Sequence, residues 1–372
     1  MLWVAFLSHT YANQPVISVL TCDPGKEVYS MYGHNALRIQ FGDGRDIVFN
    51  YGTFDFKTPN FTLKFLRGNL PYYLTAAHFQ DFMYEYNYFE RSVTEQIINL
   101  DSTETEKIIS FLDNNLKPEN RAYKYDFFYD NCATRIYDVI NVGAEKNVVW
   151  PKEPKQKLTF RNIIKHYQKN FPWTDFGIDI IIGAKADKEA TVEEQMFIPD
   201  FVKKYASETT IREIPLVSQE KQLLEFNKEE VSFLKRIFLG PLLVFLLLMS
   251  VELFLFLSKK SNRIIDMYDH FWFGLLVFIG TGILIMWFLT DHEPTKNNWN
   301  ILWTLPGFLY FVFRKSVNKN IIIITGIVGI LTIINSFTQI LPQYFHPIFG
   351  IIAIITMFKV LRKFIRNEIP VS

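Results

Sequence analysis

The sequence is poor in residues and patterns on which several functional classes depend. Only two cysteines occur in 372 residues, which excludes a disulfide-stabilised scaffold, although a single Cys22–Cys132 bridge stays open. The net charge of +1 provides no basic surface for nucleic acid. The histidines are scattered without metal-ligand spacing, and no phosphate loop, dinucleotide motif or internal repeat is present. We therefore expect no metal, no other cofactor and no nucleic-acid partner.

Long apolar runs are confined to the C-terminal part of the chain. A helix of about 20 apolar residues is long enough to cross a bilayer. We predict an all-α bundle of about five transmembrane helices over 237–361 and a cytoplasmic tail over 362–372. The predicted spans lie near 237–257, 271–289, 299–313, 321–341 and 348–360.

Lysine and arginine indicate how these spans are oriented, because short cytoplasmic loops collect both residues. Basic residues follow the first, third and fifth spans, whereas the alternate loops hold only Lys296. These basic residues are Lys259, Lys260, Arg263, Arg314, Lys315, Lys319, Lys359, Arg362, Lys363 and Arg366. The pattern predicts a cytoplasmic C-terminus and an N-terminal part outside. Its export is explained by a truncated signal-like segment over 1–14 or, alternatively, by the first span itself.

The part of the chain before the spans mixes charged, aromatic and apolar residues as a folded water-soluble domain does. We place this extracytoplasmic domain at 15–160 and a helical connector at 161–236. Strand-like alternation at 16–21, 34–41 and 47–51, with a glycine-rich hairpin turn at 42–44, predicts an antiparallel sheet. Helical patterns lie between the strands, so the expected fold class is α+β.

Cys132 stands at the predicted start of a helix. Asn131 is a favoured N-cap residue, and Gly143 ends the apolar run that follows. The N–H groups of the first helical turn, including that of Ala133, favour a thiolate and are suited to hold an oxyanion. These features are typical of a cysteine nucleophile, although a lone cysteine is more often an inert core residue. Cys22 is interpreted as structural.

His34 and Asn50 complete the candidate catalytic set. His34 opens one predicted strand, and Asn50 lies at a similar height on the strand that returns beside it. A histidine base oriented by a polar partner is what a cysteine nucleophile requires. A slip of one residue in the strand register would replace Asn50 by Tyr51, which is the alternative partner.

The order of these residues resembles the permuted NlpC-type papain-like fold, of which lecithin:retinol acyltransferase is a well-known member. The matching motifs are His34-Asn35-Ala36-Leu37, Gly42-Asp43-Gly44 and Asn131-Cys132. That family has a second histidine where this chain has Asn50. The resemblance implies a Cys-His thiol catalyst in the extracytoplasmic domain.

A closer resemblance covers nearly the whole chain. The segments 20–22, 33–38, 49–56 and 125–135, together with the multi-span tail, resemble the Lnb-type bacterial lipoprotein N-acyltransferases. This resemblance implies an inner-membrane enzyme with a periplasmic catalytic domain. Such an enzyme takes a fatty acyl chain from a phospholipid donor and transfers it to the α-amino group of a diacylated lipoprotein.

Tyr51 and four further residues are candidates for substrate binding. Arg38 and Arg135 flank the predicted site and carry the charge needed to bind a lipid phosphate, with an ordinary ion pair as the alternative. Asp291 and His292 follow the second predicted span on its outward side, where we expect them to face the site. A merely solvated loop is the alternative for this pair.

Two other functional classes remain open at the level of sequence. The same Cys-His site with water as the acceptor is a hydrolase of peptidoglycan peptides or phospholipid. A membrane receptor whose outer domain only binds lipid or peptide would not need Cys132 to react.

Overall fold

The computed structural model describes residues 14–227, 231–258, 263–304, 308, 310 and 319–368. These residues form two compact units, one from residues up to 167 with 189–229, the other from 168–188 with 230 onward. Three predictions fall largely outside the described residues: the signal-like segment, most of the third span, and the loop residues Lys259, Lys260, Arg314 and Lys315.

The first unit is built on a seven-stranded sheet in which all neighbouring strands are antiparallel. Its strands are β1 Val16–Cys22, β2 His34–Gln40, β3 Asp46–Thr53, β4 Pro71–His78, β5 Val93–Ile98, β6 Ala122–Lys124 and β10 Val217–Leu224. They lie in the order β10-β5-β1-β2-β3-β4-β6. A small second sheet contains β7 Val148–Val149, β8 Thr210–Ile211 and β9 Ile214–Pro215. The expected antiparallel α+β domain is confirmed.

Helices cover both faces of the main sheet. The helices of this unit are α1 Phe61–Arg67, α2 Phe79–Tyr88, α3 Ser102–Leu116, α4 Cys132–Ala144, α5 Phe160–Gln168, α7 Val192–Gln195 and α8 Pro199–Glu208, and α1 alone among them has no role in covering the sheet because none of its residues is buried. Helix α6 Pro172–Ile181 belongs to the second unit. Because strand side chains alternate between faces, Leu37 and Phe49 pack with α4, whereas Ala36 and Val48 pack with α2. The central strands β1 and β2 are therefore buried on both sides.

The hairpin between β2 and β3 fixes the height of the candidate catalytic residues. The Phe41 N–H donates the closing backbone hydrogen bond to the Arg45 carbonyl across the glycine-rich turn, and Gly44 has the positive φ of 92° that the turn requires. Leu37 then pairs with Phe49. This register places His34 and Asn50 near the same end of the sheet.

The helical connector predicted over 161–236 is wrong for part of its length. Residues 189–229 belong to the first unit, and β10 forms an edge of its sheet by pairing with β5. Most β10 side chains are exposed and polar. The strand is held through its backbone, so it lacks the apolar alternation by which a strand is recognised.

The second unit is helical, as expected for a membrane domain. Its longer helices are α9 Phe233–Leu239, α10 Pro241–Ser258, α11 Arg263–Phe288, α13 Lys319–Thr338 and α14 Pro347–Glu368, with the short α12 Ile301–Thr304 between them. Among the described residues, α10, α11 and α13 are long and apolar enough to cross a membrane. The first span begins at Pro241 rather than at 237, because proline disfavours a helical conformation at the preceding Gly240.

Helix α14 continues beyond residue 360, where we predicted the end of the last span. Lys359 and Arg362 are buried in it and pair with Glu252 of α10 and Asp269 of α11. The Lys359 Nζ atom lies 2.8 Å from Glu252 and 2.9 Å from Asp269. These two cations therefore balance buried carboxylates, and α14 continues into the segment 362–372 that we predicted as a cytoplasmic tail.

Candidate active site

His34 and Asn50 form a hydrogen-bonded pair at the end of the sheet. The Nε2 atom of His34 lies 3.1 Å from the Oδ1 atom of Asn50. A carbonyl oxygen only accepts hydrogen bonds, so Nε2 carries the hydrogen of the neutral imidazole. The Nδ1 atom is then left with a lone pair and can take up a proton. Asn50 thus selects the tautomer that a general base needs.

Cys132 occupies the first position of α4, and a complete capping box holds this turn. The Oδ1 atom of Asn131 accepts hydrogen bonds from the N–H groups of Ala133 at 2.7 Å and Thr134 at 3.1 Å. The Thr134 hydroxyl accepts the Asn131 N–H in return at 2.8 Å. The Asn131 amide also donates to two backbone carbonyls. Asn131 is therefore buried and rigid, and it fixes the height of Cys132.

The predicted role of Ala133 in binding an oxyanion needs correction. Its N–H already donates to Asn131, the shorter of the two capping hydrogen bonds. The N–H of Cys132 itself stands at the start of the helix, where it has no intrahelical acceptor. That N–H is the better candidate for an oxyanion donor.

The sulfur of Cys132 lies against the strands that carry His34 and Asn50. The N–H of Asn35, the residue after His34, is close enough to stabilise a Cys132 thiolate. On the neighbouring strand, a Cβ atom added at Gly52 would lie 3.6 Å from the Cβ atom of Cys132, and Gly52 has a φ of +88°. Any larger residue there would be strained and would crowd the sulfur.

No hydrogen bond joins Cys132 to His34 in the part of the chain that the structure describes. The sulfur instead faces the backbone N–H of Asn35, the residue after His34. Catalytic hydrogen bonds are often long in the free enzyme and shorten only when substrate is bound. The structure therefore brings the three residues to one end of the sheet, and a reorientation of side chains has to complete the Cys-His contact.

Burial keeps both reacting groups neutral in the free protein. It raises the pKa of the Cys132 thiol, and the N–H groups of Asn35, Cys132 and Ala133 oppose this rise without overcoming it. Burial also lowers the pKa of His34 to about 4, although the hydrogen bond to Asn50 acts in the other direction. The expectation of a thiol made acidic by the helix start is wrong for the free protein.

Cys22 is a core residue of β1, and both cysteines are free thiols. Its backbone pairs with His34 across β1 and β2, while its side chain packs with Phe82 and Tyr86 of α2. Burial raises the pKa of the Cys22 thiol to about 12. The Cys22–Cys132 bridge that the sequence left open is not formed, and Cys132 remains available as a nucleophile.

Arg38 and Arg135, candidates for binding a lipid phosphate, both have carboxylate partners. Arg38 is buried and lies 2.6 Å from Asp46 and 2.8 Å from Glu95. Arg135 donates to Asp130 at 2.6 Å. The ion-pair alternative therefore describes both arginines, and neither guanidinium is left uncompensated for a phosphate.

The remaining candidates are Tyr51, Asp291 and His292. Tyr51 is almost fully buried in the core beneath α4, on the sheet face opposite to that of Asn50, because neighbouring strand residues point in opposite directions. Asp291 and His292 belong to the second unit, directly after α11. The His292 carbonyl accepts hydrogen bonds from Thr295 and so forms part of a tight turn.

Tyr123 is a candidate that the sequence reasoning missed. Its hydroxyl is buried, and the described residues offer no acceptor for its hydrogen. The position of a Cβ atom at Gly52 would be 3.9 Å from this hydroxyl and 3.6 Å from the Cβ atom of Cys132. Burial raises the pKa of Tyr123, so the hydroxyl keeps its hydrogen. The sequence showed only an extended segment before Cys132, which does not reveal where the hydroxyl points.

A cavity of about 440 Å³ opens beside the pair of His34 and Asn50. Its lining includes Gly52 near Cys132, Phe54 at the end of β3, and Arg91. A cavity of this size is in the range of small-molecule sites. It leaves room for part of a substrate next to the imidazole.

In the second unit, the ligand atoms of three side chains lie as close together as those of a metal site. Ligand atoms of Asp175, Asp179 and His346 lie within 4.8 Å of one another. However, the Nδ1 atom of His346 accepts a hydrogen bond from the Ile348 N–H, so Nε2 carries the hydrogen and faces Asp175. A metal-binding histidine has the reverse arrangement, with its second nitrogen donating a hydrogen bond. We assign no metal to this group.

Two family models match the chain. The model described as the Lnb N-terminal periplasmic domain matches residues 4–166, and the Lnb transmembrane domain matches residues 233–368. The first match contains His34, Asn50 and Cys132, and the second covers α9 to α14. No curated protein and no solved structure matches the chain.

Proposed function

This chain belongs to the family of the Lnb periplasmic and transmembrane domains, and on that premise we propose that it is a bacterial lipoprotein N-acyltransferase. It moves a fatty acyl chain from a phospholipid, through a thioester on Cys132, to the α-amino group of an N-terminal diacylglyceryl-cysteine. The observation that carries this proposal is the hydrogen-bonded His34–Asn50 pair on the two strands that Cys132, at a capped helix start, approaches at Asn35 and Gly52. No cofactor takes part in this chemistry.

The first half of the reaction forms the thioester. As the sulfur attacks the ester carbonyl of the phospholipid, the thiol proton moves to Nδ1 of His34. The carbonyl oxygen becomes an oxyanion, which the Cys132 N–H and the Tyr123 hydroxyl stabilise. The ester C–O bond then breaks, and His34 returns its proton to the leaving oxygen of the lysophospholipid.

The second half consumes the thioester. The neutral α-amino group of the diacylated lipoprotein attacks the same carbonyl, and His34 takes the proton that the nitrogen loses. Collapse of the intermediate forms the amide, breaks the C–S bond and returns the proton to the sulfur. A neutral His34 suits this step, because it can accept a proton in both halves of the cycle.

Both proposed substrates reside in the membrane, which accounts for a catalytic domain joined to a membrane domain. We place the protein in the inner membrane as a multi-pass protein, with the catalytic domain in the periplasm and the C-terminus in the cytoplasm. The catalytic domain corresponds to 15–160, extended by 189–229. The apolar helices α10, α11 and α13 support the membrane assignment.

The Tyr123→Phe variant should form the thioester about tenfold more slowly than the unaltered protein, because one neutral hydrogen bond to the oxyanion is lost. The tyrosine ring and its contact with the Arg135 guanidinium, 4.3 Å from the ring centre, are retained. The measurement is the rate of Cys132 acylation from phospholipid. A Tyr51→Phe variant is the control, and its rate should change little. Equal rates for the Tyr123→Phe variant and the unaltered protein would exclude the hydroxyl as a donor.

The function itself is tested by the N-termini of lipoproteins. In cells that lack this gene and any other N-acyltransferase activity, expression of the chain should convert diacylated N-termini to N-acylated ones. Mass spectrometry of lipoprotein N-terminal peptides measures this conversion. If the N-termini stay unacylated while purified protein releases free fatty acid from phospholipid, the protein is a hydrolase and not a transferase.

A further inference from the structure

Helix α1 and the loop before it expose a cluster of apolar side chains. Phe56 is 75% exposed, Leu63 55% and Leu66 54%, and none of the residues of α1 is buried. The segment is inserted between the paired strands β3 and β4, so it extends from the end of the sheet that carries Asn50. Exposed apolar side chains gathered on one short element indicate a surface that contacts something apolar.

Cations are interleaved with these apolar residues. Lys57, Lys64 and Arg67 belong to the same segment, which contains Asp55 as its one acidic residue. None of the three cations forms an ion pair with a described residue. An apolar patch with uncompensated positive charge is the combination that binds the interface of a bilayer with anionic phospholipids. A protein partner would not require both features.

An unbroken row of aromatic rings leads from this surface toward Cys132. Phe61 of α1 contacts Phe54 at 5.9 Å between ring centres, and Phe54 contacts Tyr72 at 5.5 Å. Tyr72 stacks on Tyr125 at 4.4 Å. Tyr125 is half-buried, and Tyr72 also contacts Tyr123 at 6.5 Å between ring centres. The Tyr123 hydroxyl lies close to Gly52, as Cys132 does. The row thus joins the exposed helix to the surroundings of the sulfur.

We propose that α1 and its preceding loop dock on the bilayer surface and admit an acyl chain to Cys132 along this aromatic row. Phe56, Leu63 and Leu66 enter the boundary of the acyl chains, while the interleaved cations bind lipid phosphates. This inference rests on the proposed function for the fate of the acyl chain. The docking of α1 is tested separately, because contact with the membrane can be measured without enzyme turnover.

The test uses the full chain in nanodiscs of phosphatidylethanolamine with a minority of phosphatidylglycerol. In a Cys132→Ser background, a nitroxide label is attached at Leu66→Cys in one variant and at Tyr84→Cys in another. Cys22 is buried and should not react. Tyr84 is a matched control, because it is 73% exposed but lies on α2 between Asp81 and Glu85. Power saturation compares collisions with oxygen, which concentrates in lipid, and with a water-soluble nickel chelate.

The label on α1 should collide more with oxygen than with the nickel chelate, and the label at Tyr84 should show the reverse. Equal behaviour of the two labels would overturn the docking. A label on α1 that is shielded from both reagents would also overturn it, because that result indicates a protein partner or a second copy of the chain. Either result is independent of enzyme activity.

A second measurement addresses the acyl path. The Leu63→Asp/Leu66→Asp variant should acylate Cys132 from bilayer phospholipid at least about tenfold more slowly, because charges oppose entry into the interface. Its rate with a soluble short-chain ester should not change. Equal losses of rate with bilayer phospholipid and with the soluble ester would mean that the two substitutions disturb the structure of the protein. That result would contradict the proposed path of the acyl chain. If the unaltered protein acylates nothing while α1 reports lipid contact, the proposed function fails and the docking remains.

Discussion

Replacing Cys132 with serine should abolish acyl transfer, with a loss of about 10⁴-fold or more. Serine matches cysteine in shape, so the capping hydrogen bonds of Asn131 and the packing of α4 should persist. The hydroxyl is, however, a much weaker nucleophile, and an imidazole whose pKa is lowered to about 4 is a poor base for it. Intact-protein mass spectrometry after incubation with phospholipid alone measures the effect, because the unaltered protein should gain one acyl group that the variant lacks.

The matched control for this substitution is Cys22→Ser. Cys22 is fully buried in β1, so its replacement costs some stability, but the acyl adduct on Cys132 should still form. Full function in the Cys132→Ser variant would contradict a covalent mechanism. The outer domain would then be a binding module, as a membrane receptor requires.

The sequence predicts the catalytic geometry where short-range rules decide it. The turn at Gly42-Asp43-Gly44 fixes the register of β2 against β3, and register alone places His34 and Asn50 within hydrogen-bond distance. The cap at Asn131 similarly follows from residue type and position. Both features depend on residues that are close along the chain, which is why they could be derived without coordinates.

Burial and long-range pairing could not be derived in the same way. The helix start at Cys132 favours a thiolate, but desolvation is stronger, and the degree of desolvation depends on the whole fold. The sequence likewise shows Arg38 as a cation near the motif without revealing Glu95, its partner on the distant strand β5. The position of the Tyr123 hydroxyl could not be derived from the sequence, because it depends on how β6 pairs with β4.

The membrane domain shows the same limit on a larger scale. Lysine and arginine after an apolar run are read as loop residues, since cations are costly within a bilayer. Lys359 and Arg362 follow this pattern in sequence, yet Glu252 and Asp269 from two other helices neutralise them inside the unit. Composition locates the apolar helices, but the pairing of charges among them is a property of the packed bundle.

The His34→Gln variant should lose about 10³-fold or more in thioester formation, because glutamine keeps a polar side chain near Asn50 but cannot take up a proton. Replacing Asn50 with alanine leaves the base in place and removes only its orienting partner. We therefore expect a smaller loss for Asn50→Ala, of about 10- to 100-fold. Single-turnover rates of Cys132 acylation separate the two effects. Equal losses would mean that Asn50 does more than orient the ring.

The pH dependence gives an independent check on His34. Burial lowers the pKa of His34 to about 4, so the neutral imidazole that accepts the thiol proton is present above that pH. The rate of Cys132 acylation should therefore fall only as the pH drops through about 4, whereas an ordinary histidine would lose activity near 6.5. The residual acylation rate of the His34→Gln variant should not show this fall near pH 4. A loss of activity near pH 6.5 in the unaltered protein would mean that the base is solvated, and the hydrogen-bonded pair with Asn50 would not be the reacting state.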